Sequence, residues 1–313
     1  MECLKGLLMK RYNNFSSFLR RTFGCRVQKI SIDAGFTCPN RDGTKGWGGC
    51  IYCDARGSGS PAIERRPVKA QVETGMQRLK KRYKAQKFIA YFQAFTNTYA
   101  PVDVLKRQYD EALQFDDVIG LAIGTRPDCV PEPVLQLIES YAHRYHVWLE
   151  YGLQSIHEHT LALIHREHTY ADFVNAVERT NGCEILICAH VIIGLPGESK
   201  AEILETAKAM AKLGLDAIKI HSLYVMEGTS LAKMYRQGKF EALDFDEYVD
   251  LVCDFLEYLP PQIIIQRLVG EGSPETLIAP LWTLKKGTVL EAIDRELERR
   301  DSYQGKWYVK HDV

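Results

Sequence analysis

The chain alternates between short apolar segments rich in β-branched residues and longer stretches with helical periodicity. In the helical stretches apolar residues recur at three- and four-residue spacing, as in Ile203, Leu204, Ala207 and Met210. Strands separated by helices long enough to return the chain pair in parallel. The sequence therefore predicts an α/β fold, closed as a partial barrel or spread as a flat sheet, with six strands at 27–32, 88–92, 118–123, 147–153, 185–193 and 217–221.

Composition excludes several other classes of protein. A chain of 313 residues with 46% hydrophobic and 26% charged residues buries a large core and is too apolar to be disordered. No apolar run approaches the roughly 18 residues that a membrane span needs. Only 7–9 form an apolar run near the N-terminus, too short for a secretory signal. We expect a cytoplasmic protein in which the nine cysteines are ligands or buried side chains rather than disulfides.

The strand–helix rhythm changes after about residue 222. Helical patterns at 230–237 and 245–258 precede a β-like run at 263–265 and a final charged helix near 285–299. We therefore predict three regions along the chain. They are a basic N-terminal segment at 1–26, a partial barrel at 27–222, and an α+β extension at 223–313 packed on the barrel.

Zero net charge conceals an asymmetry between the two parts of the chain. Residues 1–90 carry 19 Lys and Arg against 6 Asp and Glu, a net charge of +13, and the remainder carries −13. Such a split is typical of a protein with a polyanionic partner, although a solvated helix explains it equally well. The densest basic stretch comprises Arg65, Arg66, Lys69, Arg78, Lys80, Lys81, Arg82, Lys84 and Lys87. It suits RNA if it lies beside a functional site.

Three cysteines follow the first predicted strand in a glycine-rich loop. Cys38, Cys50 and Cys53 have the spacing Cys-x11-Cys-x2-Cys, which lets three thiolates close around one metal centre. Structural zinc and most iron–sulfur clusters take four protein ligands, so three thiolates favour a cluster with one open iron. Zinc with a distant fourth ligand and unliganded thiols remain alternatives.

Several segments resemble the radical SAM superfamily, whose members cleave S-adenosylmethionine (SAM) reductively at an iron–sulfur cluster. Tyr52 directly before Cys53, and the segments 147–155 and 190–198, resemble motifs of that superfamily. With 124–128 and 221–231 they are similar to the radical SAM domain of the Elongator catalytic subunit. Over nearly the whole chain the sequence resembles the YhcC/YtqA-type bacterial family, on the segments 35–43, 91–99, 266–271 and 278–282.

This resemblance implies a fold, two cofactors and their ligands. The fold is a partial (β/α)6 radical SAM barrel with a C-terminal α+β extension. A [4Fe–4S] cluster on Cys38, Cys50 and Cys53 would bind SAM and yield a 5′-deoxyadenosyl radical. Glu150, in an apolar strand, is expected to accept hydrogen bonds from the ribose. The residues expected around SAM are Tyr52, Gln93, Thr96, Asn97, Arg126, Glu150, Gln154, Ser155, Arg166, Ile193 and Gly194.

The same resemblance implies tRNA as substrate, at the side chain of a wobble uridine. Tyr224, Arg267 and Glu271 are the expected substrate contacts and catalytic residues. A flavodoxin or ferredoxin would supply the electron, and no membrane partner is expected. Two other functions remain open. They are a radical SAM enzyme acting on a small molecule or peptide, and a non-enzymatic, zinc-binding RNA protein.

Overall fold

Seven parallel strands form the central sheet of the protein. The computed structural model describes residues 10–57 and 66–309. In chain order the strands are β1 (Val27–Ile32), β2 (Lys87–Phe92), β3 (Val118–Thr125), β4 (His146–Gln154), β5 (Leu186–Ile193), β6 (Ala217–Ser222), β7 (Val225–Met226), β8 (Ile264–Arg267) and β9 (Leu277–Ala279). The sheet order is β1-β2-β3-β4-β5-β6-β8, and β7 pairs with β9 in a separate antiparallel ribbon.

Helices connect the strands and cover the outer face of the sheet. They are α1 (Phe15–Phe23), α2 (Val68–Tyr83), α3 (Val102–Ala112), α4 (Glu132–Ala142), α5 (Glu158–Leu163), α6 (Tyr170–Asn181), α7 (Lys200–Met210), α8 (Ser230–Arg236), α9 (Phe245–Tyr258) and α10 (Lys286–Arg299), with 3-10 turns at Pro127–Cys129 and Leu281–Leu284. None of the helices in the described ranges has the length and apolar character of a membrane span.

The sheet curls until its two edge strands approach each other. Lys29 Nζ on β1 donates to Gln266 Oε1 on β8 at 2.7 Å, although five strands separate them in the sheet order. This closure confirms the predicted partial barrel and excludes a flat sheet. The β-like run at 263–265 becomes the seventh strand, so the C-terminal part of the chain completes the barrel. The predicted boundary at residue 223 stays a prediction.

Alternating residues of each strand face the barrel interior and form layers along its axis, as the period of a strand requires. The layer nearest the amino ends of the strands is apolar, with Ile89, Trp148 and Ile264 buried in one cluster. Helix α1 covers this layer. Its Phe15 and Phe18 meet Trp148 edge to face, with ring centroids 5.9 and 6.2 Å apart. The barrel is therefore sealed at one end and open at the other.

The C-terminal part of the basic stretch lies away from the open end. Helix α2 carries the chain from the carboxyl end of β1 to the amino end of β2, so its last turn lies at the sealed end. There Lys80 and Lys87 both bond to Asp117, which directly precedes β3. The residues from Lys80 to Lys87 therefore do not form a basic rim around the site. Arg65 and residues 1–9 of the basic N-terminal segment lie outside the described residues.

Candidate active site

A cavity opens at the carboxyl ends of the parallel strands, the edge where α/β folds place their functional groups. Cys38, Cys50 and Cys53 all line it. Backbone hydrogen bonds fix the cysteine loop on both sides of Ile51, whose N donates to Ile164 O at 3.1 Å and whose O accepts from Leu231 N at 2.8 Å. The long first loop thus delivers its three thiols to one wall of the cavity.

Nitrogen donors lie within hydrogen-bond distance of two of the three sulfur atoms. Arg41 Nη1 lies 3.2 Å from Cys53 Sγ, while Asn40 Nδ2 and Arg166 Nη1 each lie 3.6 Å from Cys50 Sγ. Hydrogen bonds from cationic donors stabilise negative charge on sulfur. This wall of the cavity is therefore prepared for thiolates, or for the negative charge of a cluster bound to them.

Burial opposes the free thiolate form of these side chains. Burial and the neighbouring Cys50 raise the pKa of the Cys53 thiol to about 12. A bound metal removes such a proton, because a coordinating thiol is deprotonated outright. Within the described ranges, no three His, Cys, Asp or Glu side chains are arranged to hold a single metal ion. That finding concerns one-ion sites, whereas a cluster distributes its thiolates over separate irons.

Beneath the cysteines, the barrel interior holds a buried charged group centred on Glu150. Its carboxylate is fully buried and accepts hydrogen bonds from Lys29 Nζ, from Lys219 Nζ and, at 3.0 Å, from His190 Nε2. Lys219 Nζ also donates to the Tyr91 hydroxyl at 3.1 Å. Both oxygens of Glu150 therefore already have partners within the barrel. Its predicted bond to the ribose stays a prediction.

The charges of this group follow from burial and from one another. Burial alone would raise the pKa of Glu150, but Lys219, Lys29 and His190 outweigh it and hold that pKa well below its usual value. Burial lowers the pKa of Lys219 to about 7 in spite of Glu150. Burial and Lys219 lower the pKa of His190 to about 4. Glu150 is thus ionised at neutral pH and His190 is neutral.

The two predicted SAM-binding arginines differ in how many donors remain free. Arg126 is buried, and its guanidinium bonds to both oxygens of Asp128 and to the carbonyls of Arg166 and Glu167. Arg166 bonds through Nη1 and Nη2 to Cys50 Sγ and Gly152 O, and its buried Nε has no partner in the described part of the chain. Arg166 is therefore the arginine that contacts the cysteine wall, the part of the cavity wall formed by Cys38, Cys50 and Cys53.

Most of the predicted site residues share this cavity. Besides the three cysteines, its wall contains Tyr52, Gln93, Thr96, Arg126, Glu150, Gln154, Arg166, Tyr224, Arg267 and Glu271.

Four predicted residues do not line the cavity. Asn97 is buried and donates to Gly124 O at 2.8 Å, while Ser155 bonds to Glu198. Ile193 is buried at the end of β5, and Gly194 lines a separate surface depression next to α7 and α9. The proposed approach of Gly194 to adenine therefore has no support from the cavity wall.

The structure also brings in residues that the sequence reasoning missed. Asn40 and Arg41 lie inside the cysteine loop, so their position between Cys38 and Cys50 was a usable signal. Lys29 and Lys219 are charged residues at inward positions of strands, the same kind of signal that singled out Glu150. Tyr91 carried no such signal, since an aromatic in a strand is ordinarily a core residue.

Some polar atoms in the cavity wall have no hydrogen-bond partner in the described ranges, and they indicate what kind of ligand the cavity fits. Thr96 Oγ1, Arg166 Nε and His221 Nε2 are buried, line the cavity and lack hydrogen-bond partners among the residues described. Buried polar atoms normally have partners. Together with three thiols, two of which have nitrogen donors beside them, they fit a thiolate-bound cluster and a polar, partly anionic ligand beside it.

Sequence comparison assigns the chain to a family. The profile of the radical SAM superfamily matches residues 38–210, and the profile of the radical SAM C-terminal domain matches residues 215–299. The chain belongs to the radical SAM superfamily. The first match begins at Cys38, the first residue of the cysteine wall, and includes Cys50 and Cys53.

Relatives of this radical SAM protein cover it nearly end to end. The uncharacterized protein YtqA of Bacillus subtilis is 46% identical over 300 residues, 96% of this chain and 93% of the relative. Protein YhcC of Escherichia coli K12 is 36% identical over 291 residues, 93% of each chain. These matches confirm the YhcC/YtqA-type family.

More distant relatives cover part of the radical SAM protein. The tRNA uridine(34) acetyltransferase of Methanocaldococcus infernus is 27% identical over 190 residues, 58% of this chain and 34% of the relative. The solved structure of Elp3 from the same archaeon superposes with a TM-score of 0.62 at 17% identity, over 89% of this chain and 64% of that chain. The structural match confirms the fold.

Proposed function

We propose that this radical SAM enzyme modifies tRNA, at the side chain of a wobble uridine, by reductive cleavage of SAM at a [4Fe–4S] cluster. When bound, the cluster and SAM together supply a 5′-deoxyadenosyl radical by one-electron cleavage of the sulfonium, with release of methionine. The convergence of Cys38, Cys50 and Cys53 on one cavity wall carries this proposal. Family membership supports it, because such chemistry is what the superfamily shares.

The protein's own residues would perform three tasks in this reaction. Cys38, Cys50 and Cys53 would hold the cluster, and Arg41, Asn40 and Arg166 donate hydrogen bonds to the sulfurs of Cys50 and Cys53. Such bonds tune the reduction potential of a cluster. The residues that would orient SAM are those of the expected set that line the cavity, namely Tyr52, Gln93, Thr96, Arg126, Glu150, Gln154 and Arg166.

The tRNA substrate rests on the similarity to tRNA uridine(34) acetyltransferases. That similarity spans 190 residues and 58% of this chain, so it includes much of the barrel. A base must leave its stack to reach a cavity inside a barrel, and an anticodon loop offers unstacked bases. Flavodoxin or ferredoxin is the proposed electron donor, and the cytoplasm the proposed compartment.

Anaerobic reconstitution with iron and sulfide, followed by a 5′-deoxyadenosine assay with SAM and dithionite, tests the chemistry. Wild-type protein should form 5′-deoxyadenosine, and Cys53→Ala should not. Mass spectrometry of tRNA nucleosides from a deletion strain then tests the substrate. A changed wobble uridine is expected, and it should be restored by the wild-type gene and not by Cys53→Ala. An unchanged nucleoside profile with active SAM cleavage would point to a small-molecule or peptide substrate.

A further inference from the structure

One arginine in the cavity wall lacks the partners that the others have. Five arginines line the cavity: Arg41, Arg56, Arg126, Arg166 and Arg267. Arg56 bonds to the Asp54 carboxylate, and Arg41, Arg126 and Arg166 are bonded as given above. The Arg267 guanidinium has no hydrogen bond or ion pair with any residue in the described ranges, although the side chain is half-buried at the end of β8. A guanidinium held inside a cavity without an acceptor indicates a missing acceptor.

A second unpartnered group lies on the neighbouring strand. His221 is on β6, which pairs with β8, and its buried Nε2 has no partner in the part of the chain that the structure describes. Burial and the positive charges of Arg267 and Lys219 hold the pKa of His221 well below its usual value, so its ring is neutral. A neutral imidazole donates through one nitrogen. The guanidinium of Arg267 thus presents a fork of N–H groups to the cavity, and the His221 ring presents one further nitrogen from the same wall.

The surrounding charges favour an anion. Lys29, Lys219 and Arg267 lie in the same part of the barrel, and the carboxylate among them, Glu150, is already shared by the two lysines and His190. Glu271, at the rim, pairs with Lys286 at 3.0 Å. Lys29 and Arg267 alone outnumber Glu150, so positive charge exceeds negative charge around Arg267, and a partly buried excess is stabilised by an anionic ligand.

We propose that Arg267 and His221 form an oxyanion subsite that binds a phosphate group of the RNA substrate. This assignment rests on the proposed function. The arginine fork matches the geometry of phosphate or carboxylate oxygens. Two sources of such an anion exist, the RNA backbone and the carboxylate of SAM. We assign this anion to the RNA because Arg267 and His221 lie on β8 and β6. The donors that contact the cysteine sulfurs lie elsewhere, in the cysteine loop and, for Arg166, in the segment that follows β4.

The test compares full-length, cluster-loaded protein as wild type, Arg267→Gln and Arg236→Gln. Arg236 is the matched control, because it lies on α8, pairs with Glu227 at the surface and is absent from the cavity wall. Affinity for labelled tRNA is measured by fluorescence anisotropy over a series of salt concentrations, and affinity for SAM by equilibrium dialysis. Iron content and melting temperature verify that each variant is folded and loaded.

Loss of one phosphate contact has two expected signatures. Arg267→Gln should weaken tRNA binding about tenfold or more, as for the loss of a charged hydrogen bond. It should also lower the slope of log affinity against log salt by about one. Arg236→Gln should change neither. If Arg267→Gln does not retain its cluster, Arg267→Lys replaces it: the charge and salt slope should persist while affinity falls, since an ammonium lacks the fork.

Three results would overturn the subsite or its assignment. If Arg267→Gln keeps the tRNA affinity and the salt slope of the wild type, Arg267 does not bind a phosphate group of the RNA. If the variant binds SAM more weakly and tRNA equally well, the anion is the carboxylate of SAM. If wild-type protein binds no tRNA, the proposed function fails. Inorganic phosphate then tests the subsite by itself. A rise in melting temperature with phosphate that Arg267→Gln abolishes would support an oxyanion subsite, and an equal rise in both proteins would refute it.

Discussion

Lys219 on β6 donates a hydrogen bond through Nζ to Glu150 Oε2 on β4, inside the barrel and out of contact with water. The two residues are 69 positions apart in the sequence. β5 separates their strands in the sheet, and its His190 bonds to the same oxygen of Glu150. The two bonds to Glu150 therefore tie three strands together, and Glu150 and His190 also line the cavity. The geometry of these bonds links the stability of the barrel to the shape of the site.

Glu150→Gln is expected to destabilise the fold strongly. The substitution leaves Lys219 buried and Lys29 partly buried without their counter-ion, and removing one partner of a buried pair costs about 3–5 kcal/mol. Urea unfolding of the cluster-free protein, followed by circular dichroism, measures the change. In the Glu150→Gln background, Lys219→Met should recover part of the loss, because it removes one of the uncompensated charges. A loss below about 1 kcal/mol would contradict the pairing, since that is the value of an exposed pair.

Arg41→Gln is expected to make the reduction potential of the cluster more negative. Arg41 Nη1 lies 3.2 Å from Cys53 Sγ, and a cation beside sulfur stabilises the reduced, more negative cluster. An anaerobic redox titration monitored by electron paramagnetic resonance measures the potential. Arg56→Gln is the matched control, because Arg56 lies in the same loop and bonds to Asp54 rather than to a sulfur. Equal potentials in the two variants would show that Arg41 does not tune the cluster.

Substitution of a cluster ligand should abolish iron binding, and substitution of another buried cysteine should not. Cys38→Ser, Cys50→Ser and Cys53→Ser are each expected to lose the iron content and visible absorbance of the reconstituted protein. Cys129→Ala is the control, since Cys129 is buried near the same strand ends and does not line the cavity. Full iron loading of Cys53→Ser would exclude this set of ligands. One zinc per chain in protein purified without reconstitution would support the zinc alternative.

The fold was predictable because it follows from local pattern. Each strand of the barrel is a short β-branched run, and the observed bounds differ from the predicted ones by at most two residues, as for β3 at Val118–Thr125 against 118–123. The seventh strand was visible as a β-like run at 263–265. Its place beside β6 was not, because that pairing depends on how the α8–α9 connection packs, which local sequence does not specify.

The candidate site was predictable only in part, because many of its interactions join residues that are distant in the sequence. The three cysteines share one loop, so their spacing shows that they act together. The partners of Glu150, which are His190, Lys219 and Lys29, are 40, 69 and 121 residues away, and no local pattern connects them with it. The sequence therefore indicates that Glu150 is a carboxylate in an apolar strand, and it does not show that Lys29 and Lys219 bond to that carboxylate.

Acid should destabilise the protein partly through His146, at the sealed end of the barrel. Burial and Lys29 lower the pKa of His146 from 6.5 to about 4, and its buried Nε2 has no partner among the described residues. Between these two values the unfolded chain binds a proton that the folded chain does not, so stability falls as the pH falls from 6.5 toward 4. His146→Leu removes this contribution. Relative to wild type, the free energy of unfolding of the variant should rise by up to about 1.4 kcal/mol for each pH unit below 6.5. Urea unfolding of both cluster-free proteins at several pH values between 7.5 and 5 measures it, and a difference independent of pH would show that folding does not lower the pKa of His146.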